Sequence, residues 1–128
     1  MEIIIEGDPK VQKRHRTSGN GHRYDPSAKD KKSLQKAMLE VKPSKPLEGV
    51  FRLHITAFFQ TPKSWSNKKQ QEVEGTFRPK YPDTDNIVKI IMDAMNDYII
   101  EDDRYIVSST VEKYYSMKPC TIIKLEEI

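Results

Sequence analysis

The sequence holds one cysteine, Cys120, so no intrachain disulfide can form and a reducing, cytoplasmic setting is the expectation. No apolar run nears the roughly 20 residues that a membrane-spanning helix needs, so no membrane role is expected. The opening "MEIIIEGD" carries Glu2 and Glu6 and lacks a basic n-region, so no secretory signal is expected. The three histidines, His15, His22 and His54, are scattered, and with a lone cysteine they make no zinc cluster. Gly-rich phosphate loops and internal repeats are absent. A calcium loop starting at Asp83 would want an acid or Asn fifth and Gly sixth, where Ile87 and Val88 stand. What is left is a chain of 128 residues, long enough for one domain with a core and too short for two.

Charge is the feature the sequence has in excess. Charged residues make up 32% of the chain, yet the net charge is only +3. The signs are segregated. Residues 9 to 36 hold nine Lys/Arg against two acids, and residues 61 to 80 hold five against two. Residues 81 to 103 hold seven acids against Lys89 alone. Basic surface attracts a polyanion. Acids set among it would repel that polyanion unless something neutralises them.

The pattern of apolar residues gives an α+β fold in a single domain over residues 1–128. The expected order is β-α-β-α-α-β-β, a small mixed sheet of about four strands with helices packed on it. "EIIIE" at 2–6 reads as a strand. A basic, irregular arm follows at 8–26, where "HRTSGNGHRY" can close a small hairpin. A helix is expected from about Ser27 to Val41, with Leu34, Ala37, Met38 and Val41 as its apolar stripe. Over 49–60 the residues Phe51, Leu53, Ile55, Ala57 and Phe59 alternate with Arg52, His54 and Thr56, the mark of a strand with one face on the core. "SWSNKKQQEVEG" reads as a short helix capped by Ser64 or Ser66, and "TFRPKYPDTD" as extended chain. Phe77 and Tyr81 flank the basic "RPK" and are expected to pack in the core rather than stack on bases; Trp65 is expected to anchor its loop or helix.

The strongest helical signal runs from Asn86 to Tyr98. At about 100° per residue, Ile87, Ile90, Ile91, Ala94, Met95 and Tyr98 share one arc, while Lys89, Asp93, Asn96 and Asp97 gather opposite. Val88 and Met92 widen the apolar side, so burial on more than one flank of this helix is expected. Strands are expected at about Tyr105–Tyr115 and Thr121–Glu127.

Asp83 and Asp85 are two apart in extended chain and so face one way, although Asp85 also suits a plain N-cap. Asp102 and Asp103 close the unit, about 18 Å of helix later. If the following strand carried one of them back to the first pair, three carboxylates would meet. Two such groups about 4 Å apart repel by roughly 4 kcal/mol at an effective dielectric near 20. A divalent cation offsets that repulsion, and an all-oxygen donor set suits Mg²⁺, with Mn²⁺ as a substitute. Such an ion activates water and stabilises charge at phosphorus. Lys89, one turn from both Asp85 and Asp93, reads equally as an i, i+4 ion pair or as a charge beside that site.

"PDTDNIVKIIMDAMN" followed by "YIIEDDR" resembles the RusA family of Holliday junction resolvases, often carried by phages and prophages. The series is an Asp-x-Asp-Asn, a lysine three residues after that Asn, an Asp four further on and a closing Asp-Asp. Here these are Asp83, Asp85, Asn86, Lys89, Asp93, Asp102 and Asp103. "PKSWSNKKQ" and the basic arm also resemble phage members. The resemblance implies a Mg²⁺-dependent endonuclease, a homodimer acting on four-way junction DNA and leaving 5′-phosphate and 3′-hydroxyl ends. It implies Asp83, Asp85 and Asp103 as metal ligands with Asp102 assisting, Lys89 as the catalytic lysine, and a supporting role for Asp93. DNA contacts are then expected from Lys10, Lys13, Arg14, Arg16 and Arg23 in the arm, and from Lys68, Lys69, Arg78 and Lys80. The rival expectations are a junction-binding module without cleavage and a metal-dependent nuclease for other branched nucleic acid.

Overall fold

The strand expected at 49–60 is the centre of the molecule. In the computed structural model, which describes residues 1–13, 16, 17, 19, 21 and 23–128, β4 (Phe51–Gln60) buries alternate residues from Phe51 to Phe59. Its neighbours in the sheet are β6 (Cys120–Glu127), antiparallel with Ile55 opposite Ile123, and β5 (Ile106–Ser116), parallel with Ile55 opposite Val111. β1 (Glu2–Glu6) pairs antiparallel on the outer edge of β6, giving the order β1-β6-β4-β5. The sheet is mixed and the fold is α+β, as expected. In the basic arm, β2 (Arg16–Thr17) and β3 (Arg23–Tyr24) pair antiparallel, Arg16 opposite Tyr24.

A parallel partner cannot be reached by a tight turn, so the chain from β4 to β5 makes a long crossover. That crossover carries α2 (Asn67–Val73) and α3 (Thr84–Met95). Ser66, rather than Ser64, caps α2: its Oγ accepts from the Lys69 N–H at 3.2 Å. α3 buries Ile87, Ile90, Ile91, Ala94 and Met95 against the sheet. Each large side chain so removed from water contributes roughly 1.5–3 kcal/mol.

α1 (Ala28–Ala37) lies beside α3, and Gln35 Nε2 donates to the Ala94 carbonyl at 3.1 Å. Leu34 and Met38 are buried, but Ala37 is exposed and drops out of the expected stripe, because the helix gives way to a 3-10 turn at Leu39–Val41.

α3 stops before Tyr98. Asn96 is extended and Asp97 takes a positive φ of 55°, which turns the chain so that Ile99 and Ile100 bury fully. Tyr98 still packs at the core's edge, its hydroxyl donating to the Gln35 carbonyl at 3.1 Å. The helices thus cover one face of the sheet. The opposite face carries Arg52, His54, Thr56 and Lys124 around a shallow hollow of about 520 Å³, and its charges are internally paired: Arg52 with Glu126 at 2.9 Å, Lys124 with Glu2 at 3.7 Å. No helix among the described residues is long and apolar enough to cross a membrane.

Candidate active site

The chain enters α3 through a clamped segment. Lys113 stands on the face of β5 that points into the core, level with buried Ala57, yet it is a cation. Its Nζ reaches past the sheet edge and donates to the carbonyls of Lys80 and Pro82, each at 2.7 Å. Arg78 donates from Nη1 to the Tyr81 carbonyl at 2.7 Å, while its guanidinium lies 4.5 Å from the Phe59 ring centre. Three consecutive carbonyls, those of Lys80, Tyr81 and Pro82, are therefore held by two cations just before Asp83. The Tyr81–Pro82 peptide in this segment is cis.

Asp83 occupies the N-cap position of α3 but makes no capping hydrogen bond with its side chain. Asp85 lies in the first turn, one Oδ accepting from the neighbouring Asn86 N–H at 2.9 Å. Both are exposed, and among the described residues neither forms an ion pair. The positive end of the helix dipole favours carboxylates there. The root of the basic arm comes to the same place. The Gln12 N–H donates to the Asn86 carbonyl at 2.9 Å, and the Lys13 N–H donates to Ser27 Oγ at 2.8 Å. The sequence reading missed Gln12, Ser27 and Lys113. A signal existed for the last: a lysine midway between Val111 and Tyr115 on the inward face of the strand.

Lys89 is 60% exposed and pairs with Asp93 at 3.1 Å, the i, i+4 arrangement. Asp93 also takes Lys31 at 3.1 Å, and Lys31 bridges on to Asp25. Partial burial opposes the charge on Lys31, but its hydrogen bonds to Asp25 and Asp93 outweigh this and raise its pKa. The Lys31 hydrogen bond in turn lowers the pKa of Asp25. Asp93 therefore ties α3 to α1, a supporting position.

Asp102 and Asp103 do not return to Asp83 and Asp85 within the chain. The Asp103 N–H donates to Oδ1 of Asn96, the C-cap of α3, at 3.0 Å. An Asp102 oxygen accepts from the Arg104 N–H at 2.9 Å. From Asp83 to Asn96 the helix spans about 20 Å. The expected return along the sheet does occur, but it delivers another residue. β5 starts at Ile106, and only at Lys113, about 23 Å further by strand rise, does it come level with Pro82. Among the described residues no three His, Cys, Asp or Glu side chains lie close enough to share an ion. One chain thus offers two carboxylates at one end of α3 and two at the other, and the three-carboxylate cage does not form within it.

The remaining basic residues fall in three groups. Lys69 and Lys80 converge on the Trp65 ring, at 3.8 and 5.5 Å from its centre, and Trp65 packs on Tyr115, so it does anchor its segment. Lys68 is exposed on α2; Lys10 pairs with Asp30 at 3.7 Å, and Lys13 is exposed. Arg14 and the side chains of Arg16 and Arg23 lie outside the described residues. Phe77 and Tyr81 correct an expectation: they are 67% and 69% exposed rather than packed in the core. The core has no room for them because β4 and α3 already fill it. Phe77 instead stacks on Tyr114 at 4.9 Å, which stacks on Phe58 at 5.4 Å.

The family model of endodeoxyribonuclease RusA matches residues 6–126, nearly the whole chain. The chain belongs to the RusA endodeoxyribonuclease family. It is also similar to the uncharacterized protein YqaN of Bacillus subtilis (strain 168), 33% identical over 138 residues, covering 100% of this chain and 96% of that protein. Asp83 and Asp85 are exposed and, among the described residues, form no ion pair, and they follow directly on the segment held by Lys113 and Arg78.

Proposed function

We propose that this RusA-family protein is a Mg²⁺-dependent endonuclease that resolves Holliday junctions by paired phosphodiester cleavage of four-way branched DNA, in recombination and repair. Mn²⁺ is the natural substitute ion, since the donor set is all carboxylate oxygen. The observation that carries the reading is the state of Asp83. An aspartate at an N-cap normally uses its carboxylate to cap, and this one leaves it free, exposed and beside Asp85. Such a pair gains nothing for a protein that only binds a polyanion, because it repels phosphate.

Asp83 and Asp85 provide carboxylate oxygens for the ion, with Asp103 and its neighbour Asp102 as the further acids of the set. Lys89, one helical turn beyond Asp85, stabilises charge developing at phosphorus. Its ion pair with Asp93 must open for it to do so. Lys10, Lys13, Lys68, Lys69 and Lys80 give the backbone of the junction arms something to rest on, while Arg78 acts mainly through the loop it holds. The protein works as a homodimer, matching the two-fold symmetry of the junction with two opposed cuts.

The test is cleavage of a synthetic four-way junction with and without Mg²⁺, with Asp85→Asn as control. The variant is expected to lose cutting while largely keeping binding. Undiminished cutting by Asp85→Asn refutes the assignment. Matched flap and RNA substrates, run alongside, distinguish a nuclease for other branched nucleic acid.

A further inference from the structure

Asp93 carries two cations, and they do not share an atom. Its Oδ1 takes the Lys89 ammonium and its Oδ2 takes that of Lys31, each at 3.1 Å. The two pairs differ in shelter. The Lys89 side chain is 60% exposed, whereas that of Lys31 is 19% exposed and bridges α1 to α3. Lys31 is pinned from its other side by Asp25. That carboxylate is itself fixed, accepting from the Ser27 N–H at 2.9 Å and from Gln12 Nε2 at 3.3 Å. One oxygen of Asp93 is therefore committed to a cation that cannot follow Lys89. From this arrangement we infer that Lys31 is a positioning residue for Lys89: by occupying Asp93, it keeps that acid's hold on Lys89 weak enough for the lysine to leave for a DNA phosphate.

The direction of the Lys89 pair supports this. Lys89 stands four residues after Asp85 and four before Asp93. An acid that precedes its lysine by four residues makes the better helical pair, and the reverse order the poorer one. A helical side chain also leans toward the N-terminus of its helix, which for Lys89 is the side of Asp85. The structure nevertheless sets Lys89 on Asp93. Its ammonium thus rests on the side away from the acids proposed to hold the ion, in the weaker of the two pairs open to it. A phosphate arriving at Asp85 has only that exposed contact to displace. With no second cation on Asp93, the whole charge of the acid would bear on Lys89 and hold it back.

The inference rests on the endonuclease reading, and two variants with opposite expected effects separate them. Lys31→Met and Asp25→Asn both break the bridge from Asp25 to Asp93, so both are expected to lower the melting temperature. Their effects on Lys89 differ in sign. Lys31→Met leaves Asp93 to Lys89 alone. Single-turnover junction cutting at saturating enzyme, below the melting point of each variant, is then expected to fall about tenfold. Asp25→Asn leaves Lys31 to Asp93 alone, and cutting is expected to hold at the wild-type rate or rise. Junction affinity without Mg²⁺ is expected to be unchanged in both. Cutting that falls in both variants in step with stability makes the bridge purely structural and overturns the inference, and so does a Lys31→Met protein that cuts like the wild type. A wild type that cuts no junction removes the endonuclease reading instead.

A second measurement needs no activity. Acylation by an N-hydroxysuccinimide ester, read at Lys89 by mass spectrometry, reports how firmly its ammonium is held. Lys89 is expected to react several-fold more slowly in Lys31→Met than in the wild type, and no more slowly in Asp25→Asn. Equal reactivity in Lys31→Met and the wild type overturns the positioning role, as does slower reaction in Asp25→Asn, which decides the matter by itself where Lys31→Met does not fold.

Discussion

Replacing Lys113 with Met keeps most of the aliphatic stem in its place level with Ala57 and removes only the ammonium. Two hydrogen bonds go with it, to the carbonyls of Lys80 and Pro82, each at 2.7 Å. A hydrogen bond to a charged group contributes about 1.5–3 kcal/mol net when sheltered, and less where water can substitute. The bond to Lys80 is exposed and the bond to Pro82 part-buried, so each falls below that sheltered range, at about 1 kcal/mol each and about 2 kcal/mol in all. For a chain of this size that corresponds to a fall in Tm of roughly 6–8 °C. The second consequence is local. The segment that delivers Asp83 keeps only the Arg78 contact to Tyr81, so the acids lose their fixed place relative to the sheet. Junction cleavage is expected to fall about tenfold or more, since positioning errors near 1 Å cost on the order of a hundredfold. Thermal unfolding by circular dichroism measures the first effect, and single-turnover cleavage at saturating enzyme measures the second. If Lys113→Met melts with the wild type and cuts at the wild-type rate, the clamp has no role and the argument from its geometry fails.

Two further predictions follow from the surface groups. Phe77→Ala should change stability by no more than about 1 kcal/mol, because the ring is 67% exposed and loses chiefly its stack on Tyr114. If the ring receives a base, junction affinity should drop by about 1–3 kcal/mol in a titration, and an unchanged affinity would show that no base stacks there. The Lys31 bridge has a pH signature. The folded pKa of Asp25 is lowered below 3.8, so its contribution to stability is complete above that value and disappears as pH falls through the folded one. The folded pKa of Lys31 is raised above 10.5, so its contribution is complete below 10.5 and is lost as pH rises through the folded value. The stability gap between wild type and Lys31→Met, from urea melts, should therefore be flat from about pH 5 to pH 10 and narrow on both sides. A gap that does not narrow in acid contradicts the bridge.

The elements of the fold were legible where periodicity is strict. β4 alternates without a break over Phe51–Gln60, and burial follows it residue by residue. The inward arc of α3 was equally plain, because five apolar residues recur at helical spacing. Ends were less legible. Nothing in "MNDYII" says that the helix must stop at Met95; the reason is tertiary, the demand of Ile99 and Ile100 for the core. Phe77 and Tyr81 were misjudged for a related reason. Aromatic character argues for burial, but the space was already filled by residues far away in the chain.

The acidic motif shows most clearly what order along a chain can and cannot convey. Asp85, Lys89 and Asp93 follow one another at i, i+4 intervals, which a helix converts directly into neighbours, and Lys89 with Asp93 bears that out. Asp103 belongs to the same run in sequence, yet the intervening helix is rigid and fixes the acids at its two ends. A flexible linker of that length could fold back; twelve residues of α3 cannot. The separation follows from the very strength of the helical signal between the two acidic pairs.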